Sequence, residues 1–218
     1  MDAALPSGAT SHDFFRRART RLTLEVPPAL DDPTIEAKRG DLDLDPAMWE
    51  QAGVKATRPA AVLVPVIDRS EPAVLLTLRT ELPSHPGQIA FPGGKIEPQD
   101  RTPADAALRE AAEEIGLARA LIEPIGYLDL YLTFSGFRIL PTVARVAPDY
   151  KLVLSEREVA DAFEVPLTFL MDAQNHALHS RDWKGVTRRY YAMPFGERYI
   201  WGVTAGILRN LYERIYEG

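Results

Sequence analysis

From residue 60 onward the apolar positions fall into runs of two periods. Ala60–Ile67 (AAVLVPVI) and Ala73–Thr80 (AVLLTLRT) are short and rich in Val and Leu, and the segment DRSEP separates them. They predict two strands joined by a turn. His85–Gly94 (HPGQIAFPGG) holds too much Gly and Pro for anything but a loop or a broken strand. A helix then follows with both ends marked. Thr102 is its N-cap, Pro103 suits the first helical position, Asp105 can return a capping bond, and Gly116 stops it after Ile115. Ile125–Thr133 and Phe137–Val146 predict two more strands around a Ser-Gly turn, and Glu158–Phe163 and Thr187–Met193 predict two others. Pro166 opens a short helix. In the C-terminal GVTAGILRNLYERIYE, Val203, Ile207, Leu208, Leu211 and Ile215 share one helical stripe.

Residues 1–58 are less regular. Ser11 is placed to cap a short helix through Arg21, to which Phe14 and Phe15 give an apolar side, and Val26–Gly53 is rich in Pro, Asp and Gly. The order of strands, helix, strands, helix predicts a mixed sheet with helices on both faces and no internal repeat. We therefore expect an N-terminal extension, residues 1–58, packing on a domain that spans 59–218.

Composition narrows the function. The length suits one domain able to bury a core, and the absence of cysteine removes disulfides, thiolate zinc sites and cysteine nucleophiles. Lys and Arg number 25 against 31 Asp and Glu, giving a net charge of -6 and an isoelectric point near 5.3. That balance argues against broad binding to nucleic acid or to an anionic membrane; an anionic substrate would need local arginines or a bound cation. Neither a secretory signal nor a membrane-spanning run is legible, so a soluble, cytoplasmic protein is expected.

The informative stretch is LREAAEEIGL, Leu108–Leu117. Glu110, Glu113 and Glu114 stand at i, i+3 and i+4, on one helical face within reach of each other. Glutamates on a helix are most often a solvated face. Here, however, a Gly-Gly loop precedes the helix, and a glycine ends it two residues after the glutamate pair. Three neighbouring carboxylates repel unless something neutralises them, and a hard divalent cation would do so. Arg109, four residues before Glu113, is placed to pin the cluster. His176 and His179 sit in what reads as a polar loop and make a poor zinc site without a third ligand. Tyr190 and Tyr191 fit strand packing, and Trp49, Trp183 and Trp201 read as core or rim anchors. His85 is placed either to touch phosphate or simply to make a turn. No Gly-x-Ser-x-Gly context supports a serine hydrolase.

The stretch Gly93–Leu117, GGKIEPQDRTPADAALREAAEEIGL, resembles the Nudix box. Arg109, Glu110, Ala111, Glu113, Glu114, Gly116 and Leu117 match its second half. The first half departs twice: Asp100 stands where the general box has Glu, and one extra residue separates it from Arg109. Asp100 is thus the expected partner of the box arginine, with Glu97 as a competitor. The Asp and the longer spacing resemble the coenzyme A pyrophosphatase subgroup, as does the upstream run LLTLRTELPSHPGQIAFPGG, Leu75–Gly94. Leu75, Leu76, Thr77, Arg79, Gly87, Phe91, Pro92, Gly93 and Gly94 match, and Thr80 replaces a Ser. The subgroup's second Arg is missing, with Pro83 and Ser84 in that place. Glu158–Leu170 and Ile200–Leu211 also look like the subgroup, so the likeness covers about residues 60–218.

The resemblance implies an α+β Nudix fold, an α/β/α sandwich with a mixed β-sheet. It implies metal-dependent hydrolysis of a diphosphate, with coenzyme A or acyl-CoA as substrate and Mg²⁺ or Mn²⁺ as cofactor. Glu110 and Glu114 are then the main metal ligands. Glu113 is a third ligand or the base that orients water, Arg109 is the organiser, and Glu158 is a candidate general base outside the box. Arg79, Gly93, Gly94 and Lys95 are the expected substrate contacts, with Arg138 as a further source of positive charge and the Gly94 carbonyl as an added ligand. Two alternatives stand beside this: hydrolysis of ADP-ribose, a dinucleotide or an oxidised nucleoside triphosphate, and a non-catalytic nucleotide-binding domain. The expected partner is a small-molecule substrate, a homodimer stands as an option, and residues 1–58 are left with three open roles: covering the site, mediating a dimer or merely packing.

Overall fold

The computed structural model describes residues 10–35, 37, 39–41, 43–44, 57–80, 87–183 and 186–217. Two ten-residue strands form its spine. β2 (Arg58–Ile67) lies parallel to β8 (Phe137–Val146) along their whole lengths, from Arg58 opposite Phe137 to Ile67 opposite Val146. The apolar run of β2 is continuous because helices cover both of its faces. Ala61, Leu63 and Ile67 face one helix layer, and Val64 and Val66 face the other.

Around this spine the sheet runs β1 (Arg39–Gly40), β7 (Tyr131–Leu132), β8, β2, β3 (Ala73–Arg79), β4 (Ile89–Ala90). Three further strands join off that path: β5 (Gly93–Lys95) on β2, β6 (Ile122–Tyr127) on β8, and β9 (Val159–Pro166) on β3. Parallel and antiparallel pairs coexist, so the sheet is mixed, as the pattern of runs predicts.

One face carries helix α2 (Pro103–Ile115). Ala106, Ala107 and Ala111 let it approach β2 closely, and Leu108 and Ile115 fill the gap to Leu63 and Val146. The opposite face carries α1 (Ser11–Arg21) and α4 (Val203–Tyr212), whose Phe14, Ala18, Ile207, Leu208 and Leu211 meet Val64, Val74 and Val143. A short helix, α3 (Leu167–Leu170), leads from β9 into an antiparallel sheet of β10 (Ala177–Trp183), β11 (Val186–Phe195) and β12 (Arg198–Trp201). No helix among the described residues is long and apolar enough to cross a membrane.

Four local expectations need correction. The N-cap of α1 is Thr10, whose side chain accepts from the Asp13 amide; Ser11 is buried and donates to Asp68. The run Ile125–Thr133 is not one strand. Its chain leaves the ladder after Tyr127, and Asp129 exchanges hydrogen bonds with Asn210 on α4 at 3.2 and 2.8 Å. His179 lies on β10 rather than in a loop, and its Nδ1 is 2.7 Å from the Tyr199 hydroxyl. Arg138 does not face a substrate. It is buried, and its Nε donates to the Ala29 carbonyl at 2.6 Å while Nη2 reaches those of Asp32 and Ile35 at 3.3 Å. The N-terminal chain wraps this side chain. Trp49, Pro83, Ser84 and His85, and the side chain of Trp183, lie outside the described residues.

Candidate active site

The site is built by the two ends of α2. At its start, Thr102 accepts from the Asp105 amide at 3.1 Å, and Pro103 follows at the first position. At its end, Gly116 adopts a left-handed φ of 66°, and its amide and that of Leu117 close on the Ala112 and Ala111 carbonyls. A methyl at position 116 would lie 2.9 Å from Val153, so the left-handed turn and the close approach both require glycine. The chain then returns beneath the helix, where the Ser155 amide donates to the Glu114 carbonyl at 2.8 Å. Thr80, just beyond β3, binds the Arg157 and Glu158 carbonyls, which brings Glu158 beside Arg79.

Arg109 organises the acidic face. Its Nε and Nη2 hold Asp100 through two parallel bonds of 3.1 and 3.0 Å, and Nη1 reaches Glu110 at 2.9 Å and Glu113 at 3.2 Å. Nη2 also donates to the Lys95 carbonyl at 3.1 Å, which ties the glycine loop to the helix. Asp100, not Glu97, is therefore the partner of this arginine. The forked pairing is the geometry an Arg–carboxylate contact favours. It holds the Asp100 carboxyl below the ordinary carboxylate range and raises Arg109 further.

Glu110 and Glu114 turn toward the glycine pair. A methyl on Gly94 would lie 2.5 Å from the Glu110 carboxyl carbon, and one on Gly93 would strike the Ala61 carbonyl of β2. Position 93 must therefore lack a side chain, and at position 94 a side chain would have to displace Glu110. Glu114 is only 3% exposed; its Oε2 accepts from the Gly93 amide at 3.2 Å, and its Oε1 is 3.6 Å from Arg79 Nη1. Burial pushes its carboxyl up to about 7 against those two contacts, and the charges of Glu110 and Glu158 add to the rise. Glu110 is also raised, first by burial, with Arg109 opposing. Glu113 stands apart, with its side chain 58% exposed.

Hence the three glutamates are brought to one helical face but do not converge. Among the described residues no three acidic or imidazole groups already surround a point as a metal would require. The donor set still fits a hard divalent cation. It offers carboxylate oxygens only, and the buried Glu114 and partly buried Glu110 carry like charge that a cation would relieve. The preference is for a Mg²⁺-type ion over a soft metal.

Beside this face lies a cavity of about 740 Å³. Arg79 and Gly93 line it, and both hold Glu114; the three glutamates themselves do not line it. Lys95 is exposed, at the end of β5, and is not part of the cavity wall. Sequence reasoning missed most of the lining. Tyr190, Tyr191 and Trp201, expected to pack, form part of the wall, as do Arg181, Arg188, Asp41 and Asp43. No period along β11 marks them, since Arg188, Arg189, Tyr190 and Tyr191 line the cavity in succession.

Comparison with known proteins fixes the family. Residues 57–184 match the NUDIX domain. The chain belongs to the Nudix family. A relative from Yersinia enterocolitica described as uncharacterized Nudix hydrolase NudL is 38% identical over 157 residues, covering 72% of this chain and 80% of its own. Another NudL, from an Enterobacter species, is 38% identical over 155 residues, 71% and 81% of the two chains. Among solved structures, a NUDIX hydrolase from Alicyclobacillus acidocaldarius superposes with a TM-score of 0.47 and 20% identity, over 73% of this chain and 93% of its own. The fold is the α+β Nudix fold, and this protein is a Nudix pyrophosphohydrolase acting on a nucleoside diphosphate derivative. Nudix hydrolases generally use divalent metal ions.

Proposed function

We propose that this Nudix hydrolase cleaves the diphosphate of coenzyme A or an acyl-CoA, releasing 3′,5′-ADP and 4′-phosphopantetheine or its acyl form. The observation that carries the reading is one residue with two roles. Arg79, from the run Leu75–Gly94, both holds Glu114 and lines the large cavity, so the acidic face and a substrate-sized space share a wall. Water adds to one phosphorus, the bridging P–O bond breaks, and the other phosphate leaves with the electron pair. A divalent ion, Mg²⁺ or Mn²⁺, held by Glu110, Glu113 and Glu114 would neutralise phosphate charge and acidify a bound water.

The chain's own residues supply the remainder. Arg109 fixes Glu110 and Glu113 in place through one guanidinium. Glu113 is the exposed member and is our candidate for the third ligand or for orienting the water. Glu158, whose charge is felt by both Glu110 and Glu114, is our candidate for the base that takes the proton. Gly93 and Gly94 let substrate approach the backbone, and Arg79 and Lys95 offer positive charge to the diphosphate. We keep residues 1–58 as an extension packing on the 59–218 domain, supported by the burial of Phe14 and Ala18 in the common core. The cytoplasm is the proposed location.

The second reading, another nucleoside diphosphate derivative, is favoured by Pro83 and Ser84 where the coenzyme A subgroup carries an Arg. Product analysis with coenzyme A beside ADP-ribose, each with Mg²⁺ or Mn²⁺, separates the two. Release of 3′,5′-ADP at the higher kcat/KM is the expected result. AMP from ADP-ribose with coenzyme A untouched would overturn it.

A further inference from the structure

We propose that segment 39–44, which precedes the Nudix match, is a substrate-recognition strap, and that Asp43 on it accepts a hydrogen bond from an amino or hydroxyl group of the substrate's nucleoside. This needs only a nucleoside diphosphate substrate, whether or not it is coenzyme A. Every described residue between 39 and 44, namely Arg39, Gly40, Asp41, Asp43 and Leu44, lines the large cavity. The Nudix match begins only at residue 57, so this part of the wall comes from outside the matched region.

The strap is fastened to three elements. β1 pairs in parallel with β7, and the Asp41 amide donates to the Leu132 carbonyl at 2.9 Å. The Asp41 carboxylate accepts from the Tyr131 hydroxyl at 3.1 Å and from the Phe134 amide at 2.7 Å. Arg39 pairs with Glu213 just beyond α4, and the Leu44 carbonyl accepts from Arg189 on β11. Asp43 sits between these anchors and so has a fixed place in the wall. A binding group held in this way loses less freedom when substrate arrives.

Asp43 marks a part of the cavity suited to an uncharged group. A carboxylate repels phosphate, and the sheet order β1, β7, β8, β2, β3 sets the strap four strands away from Arg79, which also binds Glu114. The diphosphate therefore belongs at Arg79 and Gly93, and the nucleoside toward the strap. Phe134, tied to Asp41, and Tyr190 and Trp201 give the same cavity aromatic surface on which a base can stack. The Asp43 side chain is accessible, yet the cavity walls crowd it. Burial pushes its carboxyl up to about 6 against the Gly40 amide and Arg39, and Asp41 and Glu213 add to the rise. A carboxylate accepts up to about four hydrogen bonds, so the Gly40 amide leaves room for a donor of the ligand. Such a donor stabilises the charged form that burial disfavours.

Titration calorimetry of the full chain with AMP, IMP, 2′-deoxy-AMP and 3′-deoxy-AMP tests the strap. IMP lacks the amino group of the base, and each deoxy form lacks one hydroxyl. Loss of the donor that Asp43 accepts is expected to weaken binding at least about tenfold, the scale of one hydrogen bond to a charged group. In Asp43→Ala that gap closes toward one. Asp43→Asn cannot titrate, so the ratio of AMP affinities, parent over Asp43→Asn, is expected to fall about fourfold from pH 7.5 to 5.5 as Asp43 takes up its proton. The phosphate of AMP titrates in both proteins and cancels. Because Asp43 is exposed, both variants are expected to melt like the parent. Equal binding of all four nucleotides by the parent, a gap unchanged in Asp43→Ala, or equal weakening of all four in that variant overturns the strap. If coenzyme A yields 3′,5′-ADP and no gap is found, the strap fails and the coenzyme A reading stands. If the gap is present and closes but coenzyme A is not cut, the reverse holds.

Discussion

At the scale of single residues, the site depends on where two carboxylates are held. Glu114 is buried against a backbone amide and one guanidinium, so removing its charge changes little of the packing but much of the chemistry. Glu114→Gln is expected to lower kcat by more than about a hundredfold, since even the outer partners of a metal ligand commonly cost 10–100-fold. Steady-state kinetics beside a thermal melt checks this: a variant that melts like the parent and turns over normally would remove Glu114 from the site. Gly94→Ala tests the neighbouring contact. The new methyl meets the flexible end of Glu110 rather than backbone, so the side chain swings away and the fold survives. We expect a large loss of kcat with an unfolding midpoint close to that of the parent. A crystal structure of this variant with Glu110 unmoved would contradict the account.

At the scale of elements, α1 and the segment after it are docked by close approach to β6. A methyl at Gly126 would lie 2.5 Å from the Leu22 Cβ and 2.8 Å from the Thr23 amide nitrogen. These are chain atoms that cannot swing aside. The Tyr127 amide also donates to the Thr23 carbonyl at 2.8 Å, so the two segments are joined by one antiparallel bridge. Gly126→Ala should therefore destabilise the protein by about 1–3 kcal/mol, the usual cost of overpacking a close-fitted site. Urea unfolding measures this directly, and an unchanged midpoint would mean that α1 docks without this contact. Set beside Gly94→Ala, the pair separates a glycine needed by the site from one needed by the fold.

At the scale of the whole molecule, α3, α4 and β10 meet around a buried imidazole. His176 Nε2 is 2.7 Å from the Leu170 carbonyl, to which it donates, and Nδ1 faces Arg209 Nη1 at 3.4 Å. Burial, reinforced by Arg209, depresses the His176 pKa below its usual value near 6.5, while the Leu170 carbonyl, Asp172 and Glu213 oppose. The unfolded chain therefore takes up this proton before the folded one. The contribution of the neutral imidazole is complete above about 6.5 and is lost as pH falls toward the depressed value. Asp43 works the other way, since burial pushes it up to about 6. The difference between the parent and His176→Gln isolates the histidine. That difference in unfolding free energy should shrink between pH 7 and 5.5, and a constant difference would show that the ring is not held neutral.

The sequence by itself determined what depends on neighbours along the chain. Thr102, Pro103 and Gly116 bound α2 because caps and left-handed stops are local events. The i, i+3, i+4 spacing set three glutamates on one face because a helix has a fixed period, and the spine strands were legible from their unbroken apolar runs. Only the tertiary structure decided which partner each charge meets across the fold. Arg138 and Arg79 read alike as cations beside strands. Yet Arg138 is buried by carbonyls of the N-terminal chain more than a hundred positions away, while Arg79 closes on Glu114. β10 is polar enough to read as loop, and it becomes a strand by pairing with β11. The cavity belongs to no segment: its wall joins residues from Arg39 to Arg209, and a space enclosed by distant parts of a chain has no period along it.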